Sequence, residues 1–484
     1  MSPGHQPDLP RRLGGFDATM VIVGDIVGIG IFTTTGLVAD ACPHPLWILA
    51  AWLGGGLLTL CGALTIAELG SALPRAGGEY VYLKETYGPL VGFLNGWTYL
   101  TVTSSGSIAA MAVALAGYVG GWFPALSATT ELWCGPSVIG PVRITMGQVI
   151  GVGVVLAFSA VNYVGLQAGR VLQDALTVAK LAAILAIAAA GLLFGRGSWS
   201  HFSGAAAGAS AAGLLPALGV AASGVLFSYS GWFACTYVAG EIRQPERNIP
   251  RSLFAGTLIV TALYLAVNVA YLYALPVGAL RGVVNVGEAA ATSLFGRGAA
   301  AVLSATMAVT ILSSINSVVL TSPRIYYAMA RDGLFFRSIG AVHPRFETPT
   351  RAILLQAVWA SLLVLTGSFG QLLAYVTVAM VVFSLLSAGA VIVLRWRRPD
   401  LRRPYRTPLH PWLPLAFIGA YGAILAGLLA SRPREALYGL AVVASGLPVY
   451  WLWSRRARLV AGATGGAAAV SIRGPGCPGN VSSP

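Results

Sequence analysis

The sequence predicts an all-α integral membrane protein, and three observations carry that prediction. Hydrophobic residues make up 56% of the chain and charged residues only 10%, whereas an average soluble domain carries roughly 25% charged residues. Twelve separate apolar windows approach the length of about 20 residues that a helix needs to cross the hydrocarbon core. Two of these windows, about two hundred residues apart, are interrupted by glycine and small polar residues. The 60 glycines suit this class, because small residues let membrane helices approach closely.

The elements follow in order. Residues 1–15 are polar and read as a cytoplasmic tail. The first apolar run is too long for a signal peptide and lacks a small-residue cleavage site. The spans are 16–40, 46–70, 90–118, 145–165, 170–195, 214–240, 251–275, 298–327, 351–367, 370–395, 412–430 and 436–453. Spans one to five (16–195) and six to ten (214–395) each open with a broken helix. Five is odd, so the second set starts from the opposite side of the membrane, which makes the halves inverted repeats. Spans eleven and twelve (412–453) follow, and residues 461–484, rich in Gly, Ala, Ser and Pro, read as a disordered tail.

A formal net charge of +14 would suggest nucleic acid in a soluble protein. Here the basic residues sit between apolar segments, so no nucleic-acid partner is expected and the charge reports orientation. With the N-terminus inside, 22 of the 30 Lys and Arg fall on the inner side and 6 on the outer; Lys180 lies within a span and Arg473 in the tail. Both termini are therefore expected in the cytoplasm, with the protein in the cytoplasmic (inner) membrane. The five cysteines and five histidines show no metal-ligand spacing and no disulfide framework, so no cofactor is expected.

The first break lies in Val27-Gly28-Ile29-Gly30-Ile31-Phe32. Each interior glycine weakens a helix by roughly 1 kcal/mol relative to alanine. A helix opened there exposes free N–H groups at the start of its outer half, and a helix N-terminus carries about half a positive charge, which suits a carboxylate. The competing reading is packing, since Gly24 and Gly28 also form G-x-x-x-G. The second break lies in Phe227-Ser228-Tyr229-Ser230-Gly231-Trp232, where freed carbonyls suit an ammonium group. Unwound backbone in a membrane must line a cavity or be buried in protein. Donors at one break and acceptors at the other suit a zwitterion, the α-carboxyl and α-amino pair of an amino acid. Phe227 and Trp232 are candidates to cover it, Phe227 before Trp232, against ordinary apolar packing.

Lys180 stands ten residues past Arg170, about 15 Å along a helix and so near mid-membrane. A charge at that depth costs at least about 2.5–3.5 kcal/mol and marks a functional candidate. It is expected either to act as a fixed ammonium in the place of a sodium ion, holding the broken first helix against span eight, or to bind and release a proton. Snorkelling to an interface is the structural alternative. Ser313, Ser314, Asn316 and Ser317 on span eight are its candidate partners. Of the embedded acids, Asp25 and Glu68 are candidate gates or helix-packing hydrogen-bonders, with the structural role favoured, and Glu241 reads as part of a solvated inner turn.

At these residues the chain resembles the amino acid–polyamine–organocation (APC) superfamily, within it the L-type amino acid transporters and their bacterial relatives. The resemblance spans roughly 15–455 and includes Pro74-Arg75-Ala76-Gly77-Gly78-Glu79-Tyr80, the two breaks, Glu241 through Pro250, Tyr326 through Gly333 and Arg403-Pro404-Tyr405-Arg406. It implies the LeuT-like fold, a five-plus-five inverted repeat plus two helices with helices one and six broken, and alternating access around a central substrate. It implies a carboxylate site on the backbone of Gly28, Ile29 and Gly30, within a binding stretch that includes Ile26. It implies a gating aromatic at Phe227, amino-group acceptors on the Phe227, Ser228 and Ser230 carbonyls beside Gly231, and roles for Tyr264 and Lys180. The chain departs from the family pattern at Ile29, where serine is frequent, at Ser230, where glycine is common, and at Gly240, which replaces an acid. These bear on substrate identity and not on fold. Cys134 occupies the loop where animal light chains bond a partner subunit, but without the surrounding motif, and it reads as coincidence.

The expected activity is sodium-independent transport of amino acids, by exchange (antiport) or proton symport, with the substrate and membrane lipid as partners and no obligatory protein partner evident. Neutral substrates are favoured because neither break holds an acid for a cationic side chain. The alternatives are a cationic amino-acid or polyamine carrier, a membrane enzyme, for which no cluster of catalytic side chains is found, and a channel, for which no filter loop or polar stripe is found.

Overall fold

In the computed structural model, which describes residues 9–123, 126, 129–135, 142–203, 222, 224–296, 298–366, 369–431 and 433–463, the first apolar run folds as two helices. α1 (Gly15–Ile26) and α2 (Gly30–Ala41) meet at 49°. α3 (Pro45–Ala72) starts on a proline at its first position, with the His44 side chain accepting from the Leu46 N–H. α4 (Glu79–Tyr87) and α5 (Pro89–Thr98) lead through a π-helical turn at Tyr99–Thr103 into α6 (Ser104–Trp122). An antiparallel hairpin, β1 (Glu131–Gly135) and β2 (Val142–Thr145), pairs Glu131 with Thr145. Thr145 and Gln148 then form a reciprocal capping box for α7 (Met146–Val164).

After α8 (Leu166–Phe194), the described part of the sixth window is a helical turn at 224–228 (α9) that stops at Ser228. Irregular chain and 3₁₀ turns carry it on to Glu241. α10 (Pro245–Ala274), α11 (Val277–Leu280), α12 (Val286–Phe295), α13 (Ala299–Thr321), α14 (Pro323–Arg331), α15 (Thr350–Thr366), α16 (Phe369–Arg397), α17 (Trp412–Ser431) and α18 (Pro433–Ala463) complete the chain.

Among the described residues, nine helices are long and apolar enough to cross a membrane, or ten with the bent α1–α2 pair as one span. The two remaining windows of the twelve read from sequence are α15, a 17-residue helix, and the sixth, whose residues 214–221 and 223 lie outside the described residues. The tail at 461–484 lies outside them too, apart from 461–463.

α8 shows how the sequence sets the packing. Gln173, Thr177, Lys180 and Ile184, at helical spacing, are buried, while Val171, Val178 and Leu185 face outward. The polar stripe points inward and the apolar one outward, as expected where lipid is the solvent. α1 sits at the centre, against α8, α10 and α13. Around its last turn, Trp52, Tyr229 and Tyr264 form an aromatic knot with ring centroids 5.0 to 6.1 Å apart.

Two expectations change at the end where α1 begins. Of the described residues before α1 (9–14), Leu9 and Leu13 are buried, and the Arg12 and Leu13 N–H groups donate to the Glu241 carbonyl at 2.8 and 2.9 Å. Glu241 is not in a solvated turn. Its side chain is fully buried and paired with Arg324 at 2.7 Å, and the guanidinium also donates to the Leu320 carbonyl. Glu68 is structural, gripped by Arg395 at 2.6 Å and Arg403 at 3.3 Å. Removing one member of a buried pair strands the other charge at a cost of about 3–5 kcal/mol. Glu241→Ala is therefore expected to lower the unfolding midpoint of the detergent-solubilised protein markedly. Glu241→Gln combined with Arg324→Met should recover a large part of the loss, and equal midpoints for wild type and Glu241→Ala would contradict the assignment.

Candidate functional site

The site begins with two orphaned carbonyls. In a continuous helix the Gly28 N–H would bond to the Gly24 carbonyl; here it turns to Ile26 O at 2.9 Å, and the helix ends. The carbonyls of Gly24 and Val27 are left to other donors. The Lys180 ammonium, fully buried on α8, donates to both at 2.8 and 2.7 Å. Ser314 Oγ on α13 stands 3.2 Å from each and 3.1 Å from Thr310 O, so its single proton serves one of them at a time. Ser313 instead meets the Thr177 hydroxyl at 3.2 Å, Ser317 donates to Val21 O, and Asn316 joins Gln173 and Asn162 in a buried amide chain.

A second clasp joins the two breaks. The Tyr264 hydroxyl lies 3.0 Å from Ile26 O and 2.8 Å from Ser228 O, so one phenol ties the end of α1 to the end of α9. Asn268 donates to Tyr264 O one turn away and accepts from Thr35, fixing this stretch of α10 to α2. The breaks touch directly as well. A Cβ at Gly30 would lie 2.6 Å from Ser228 Oγ and 3.0 Å from Ser228 Cα. Gly231 has φ +92°, and a Cβ there would lie 2.5 Å from Asp25 Oδ2.

The two glycine readings of the first break divide between the residues. Gly24 is a packing glycine, because a Cβ would fall 1.9 Å from Gln173 Nε2. Gly28 is not: its nearest neighbour would be Ser314 Oγ at 3.8 Å, and it borders a cavity.

That cavity, about 150 Å³, lies between the breaks and the middle of the third span. Ile26, Gly28, Ile29, Gly30, Phe227, Ser228, Ser230, Gly231 and Ser314 all line it. Lys180 and Tyr264 stand behind this wall and hold it in place. Trp232 is off the cavity, packed edge-on against Phe233 and Phe417 at 4.9 and 5.8 Å.

Several wall residues were not singled out from sequence. Tyr99 and Thr103, on the π-helical turn, and Ser104 and Ser107 on α6 form the opposite wall. Single π-helical turns are frequent at functional sites, and a run of serines inside an apolar window was a readable signal. Asp25 also lines the cavity, so the premise that no acid stands at the breaks is corrected: the carboxylate sits in the last turn of α1, against Gly231. Glu79, quoted above only as part of a motif, is buried below. It accepts from Tyr99 Oη at 2.9 Å, Tyr237 Oη at 3.4 Å and Ser387 Oγ at 3.0 Å, and both tyrosines line the cavity.

A helical membrane protein with an interrupted first span and, at the interruption, a small mainly apolar cavity holding a few polar groups has the build of a carrier. Residues 13–443 match the amino acid permease family, and the chain belongs to that family, within the APC superfamily of LeuT-like fold. It is 32% identical over 454 residues to the serine/threonine exchanger SteT of Bacillus subtilis (strain 168), covering 93% of this chain and 98% of that protein. It is 28% identical to the human b(0,+)-type amino acid transporter 1, covering 92% and 88%, and 29% identical to the human large neutral amino acids transporter small subunit 2, covering 93% and 82%. The relatives are named as transporters and exchangers, which places the chain among amino-acid carriers and not among enzymes.

The geometry makes two substitutions informative. Gly30→Ala forces the two breaks apart and is expected to abolish substrate binding in protein that still purifies folded. Tyr264→Phe removes one hydrogen bond, typically about 0.5–1.5 kcal/mol, and is expected to lower transport more than stability. Wild-type binding by Gly30→Ala would show that the breaks need not touch.

Proposed function

We propose that the protein is a secondary transporter of neutral amino acids in the cytoplasmic membrane, sodium-independent, working by exchange or proton-coupled uptake with both termini in the cytoplasm and no obligatory protein partner. The observation that carries the reading is the cavity with the start of α2 on one wall and the end of α9 on the other. The first N–H groups of a helix have no intrahelical acceptor, and together with its dipole they favour an anion. In this reading the substrate carboxylate lies at Ile29 and Gly30, and Phe227 covers the substrate.

The fixed ammonium of Lys180 supports sodium independence, since it holds by hydrogen bonds the carbonyls of Gly24 and Val27 that a bound cation could otherwise join. At and behind the cavity wall beside the breaks stand one acid, Asp25, and one base, Lys180, which favours a substrate with no net charge. The serine/threonine exchanger among the relatives supports a small neutral side chain and exchange. The 22-to-6 distribution of Lys and Arg supports the orientation.

The test is uptake of labelled L-serine, L-threonine, L-leucine and L-arginine into proteoliposomes, with and without internal amino acid, sodium and a pH gradient. Saturable uptake of the neutral amino acids, independent of sodium and faster with internal substrate or an inward proton gradient, is expected. L-arginine as the preferred substrate would overturn the neutral assignment, and no uptake of any amino acid would overturn the reading. Lys180→Ala leaves two buried carbonyls short of a donor, about 1–3 kcal/mol for each unsatisfied group. It is expected to cut uptake at least tenfold with membrane insertion intact, and unchanged kinetics would reduce the lysine to filler.

A further inference from the structure

Asp25 is the one charged residue among the described residues that line the cavity. It sits in the last turn of α1, where a Cβ on Gly231 would fall 2.5 Å from its Oδ2. The carboxylate therefore borders both breaks at once. Its polar neighbours from the helices behind are Lys180 on α8 and Ser317 on α13. Lys180 nevertheless directs its short hydrogen bonds to the carbonyls of Gly24 and Val27, and Ser317 Oγ donates to Val21 O.

Of the Phe227, Ser228 and Ser230 carbonyls expected to accept the amine, the first two are already engaged. Phe227 O accepts from the Ser230 N–H at 3.1 Å, and Gly231 O from the Ala234 N–H at 3.0 Å. Ile26 O accepts from the Gly28 N–H, and both Ile26 O and Ser228 O face the Tyr264 hydroxyl. A substrate ammonium brings three donors and a full charge out of water. Leaving such a charge without an ionic partner is expensive, and a charge-assisted hydrogen bond to a carboxylate is roughly twice as strong as one between neutral groups.

We propose that the Asp25 carboxylate receives the α-ammonium group of the substrate and makes the cavity select amino acids over other small carboxylic acids. This rests on the amino-acid reading of the cavity given above. The substrate then spans from the N–H groups that start α2 to Asp25 beside Gly231, and Ser228 and Ser230 complete the amine end.

The test compares binding of an amino acid and its 2-hydroxy analogue, which differ only at the group in question. The pairs are L-serine with L-glycerate and L-leucine with L-2-hydroxyisocaproate, measured as competition against a labelled neutral amino acid on purified protein of confirmed monodispersity. Wild type is expected to prefer the amino acid by a hundredfold or more. Asp25→Asn is expected to weaken amino-acid binding at least tenfold and leave the hydroxy acid within about twofold of its wild-type value, and Asp25→Glu to restore part of the preference.

Asp25→Asn with the wild-type preference, or with both members of a pair weakened by the same factor, would overturn the assignment while leaving the transport reading intact. Wild type binding the two members of each pair alike would overturn it even if the variants did not fold. Failure of wild type to bind any amino acid would remove the reading beneath it.

Discussion

The whole arrangement depends on one buried ammonium group meeting two backbone carbonyls. A helix broken inside a membrane exposes polar groups that lipid cannot satisfy. α1 breaks because the Gly28 N–H turns to Ile26, and the carbonyls of Gly24 and Val27 would then stand unpaired but for Lys180. The lysine in turn tolerates its depth because those two carbonyls accept from it. Each half of the contact makes the other possible. The polar stripe of α8 delivers the lysine, and the absence of a side chain at Gly24 lets α8 approach closely enough for it to reach.

Around this joint, the molecule separates holding from receiving. Lys180 clasps the end of α1 from behind, and Tyr264 ties it to the end of α9, so the carbonyls they engage belong to the scaffold. The side of the breaks facing the cavity carries the start of α2, Asp25 and Ser230, while the Ser228 hydroxyl turns to Thr34 at 2.9 Å. On the opposite wall, Tyr99 and Tyr237 are anchored by Glu79, a buried acid shared by three hydroxyl donors. A carrier must bind a zwitterion firmly enough to desolvate it yet release it on the other side. In the proposed reading, a rigid joint beside a mainly apolar wall with a few polar groups meets the first requirement without locking the substrate in.

Much of this was legible in the sequence, because its signals are local. Glycines inside an apolar run announce a break, and a lone lysine at mid-span announces a buried charge. The partners were not legible. Asp25 was visible as an acid, but only the fold brings Gly231, some two hundred residues on, against it. Glu241 sits in a proline-rich charged run that reads as a solvated turn; its burial follows from Arg324 and the residues before α1, none of which a local window contains. Phe227 and Trp232 both flank the second break in sequence, with Phe227 the preferred candidate to cover a substrate. The unwinding after Ser228 leaves the first on the cavity and turns the second onto Phe417. The alternation of small and polar residues in the third span carried the opposite wall, but without a partner to face it had no evident role.

The most direct test of the central claim is a structure of the protein in lipid nanodiscs with a bound neutral amino acid. The account predicts ligand density between the two breaks, its carboxylate at the N–H groups of Ile29 and Gly30 and its amine toward Gly231, with Lys180 still bonded to Gly24 and Val27. Density elsewhere, or at the breaks with the lysine released and contacting the ligand, would contradict it.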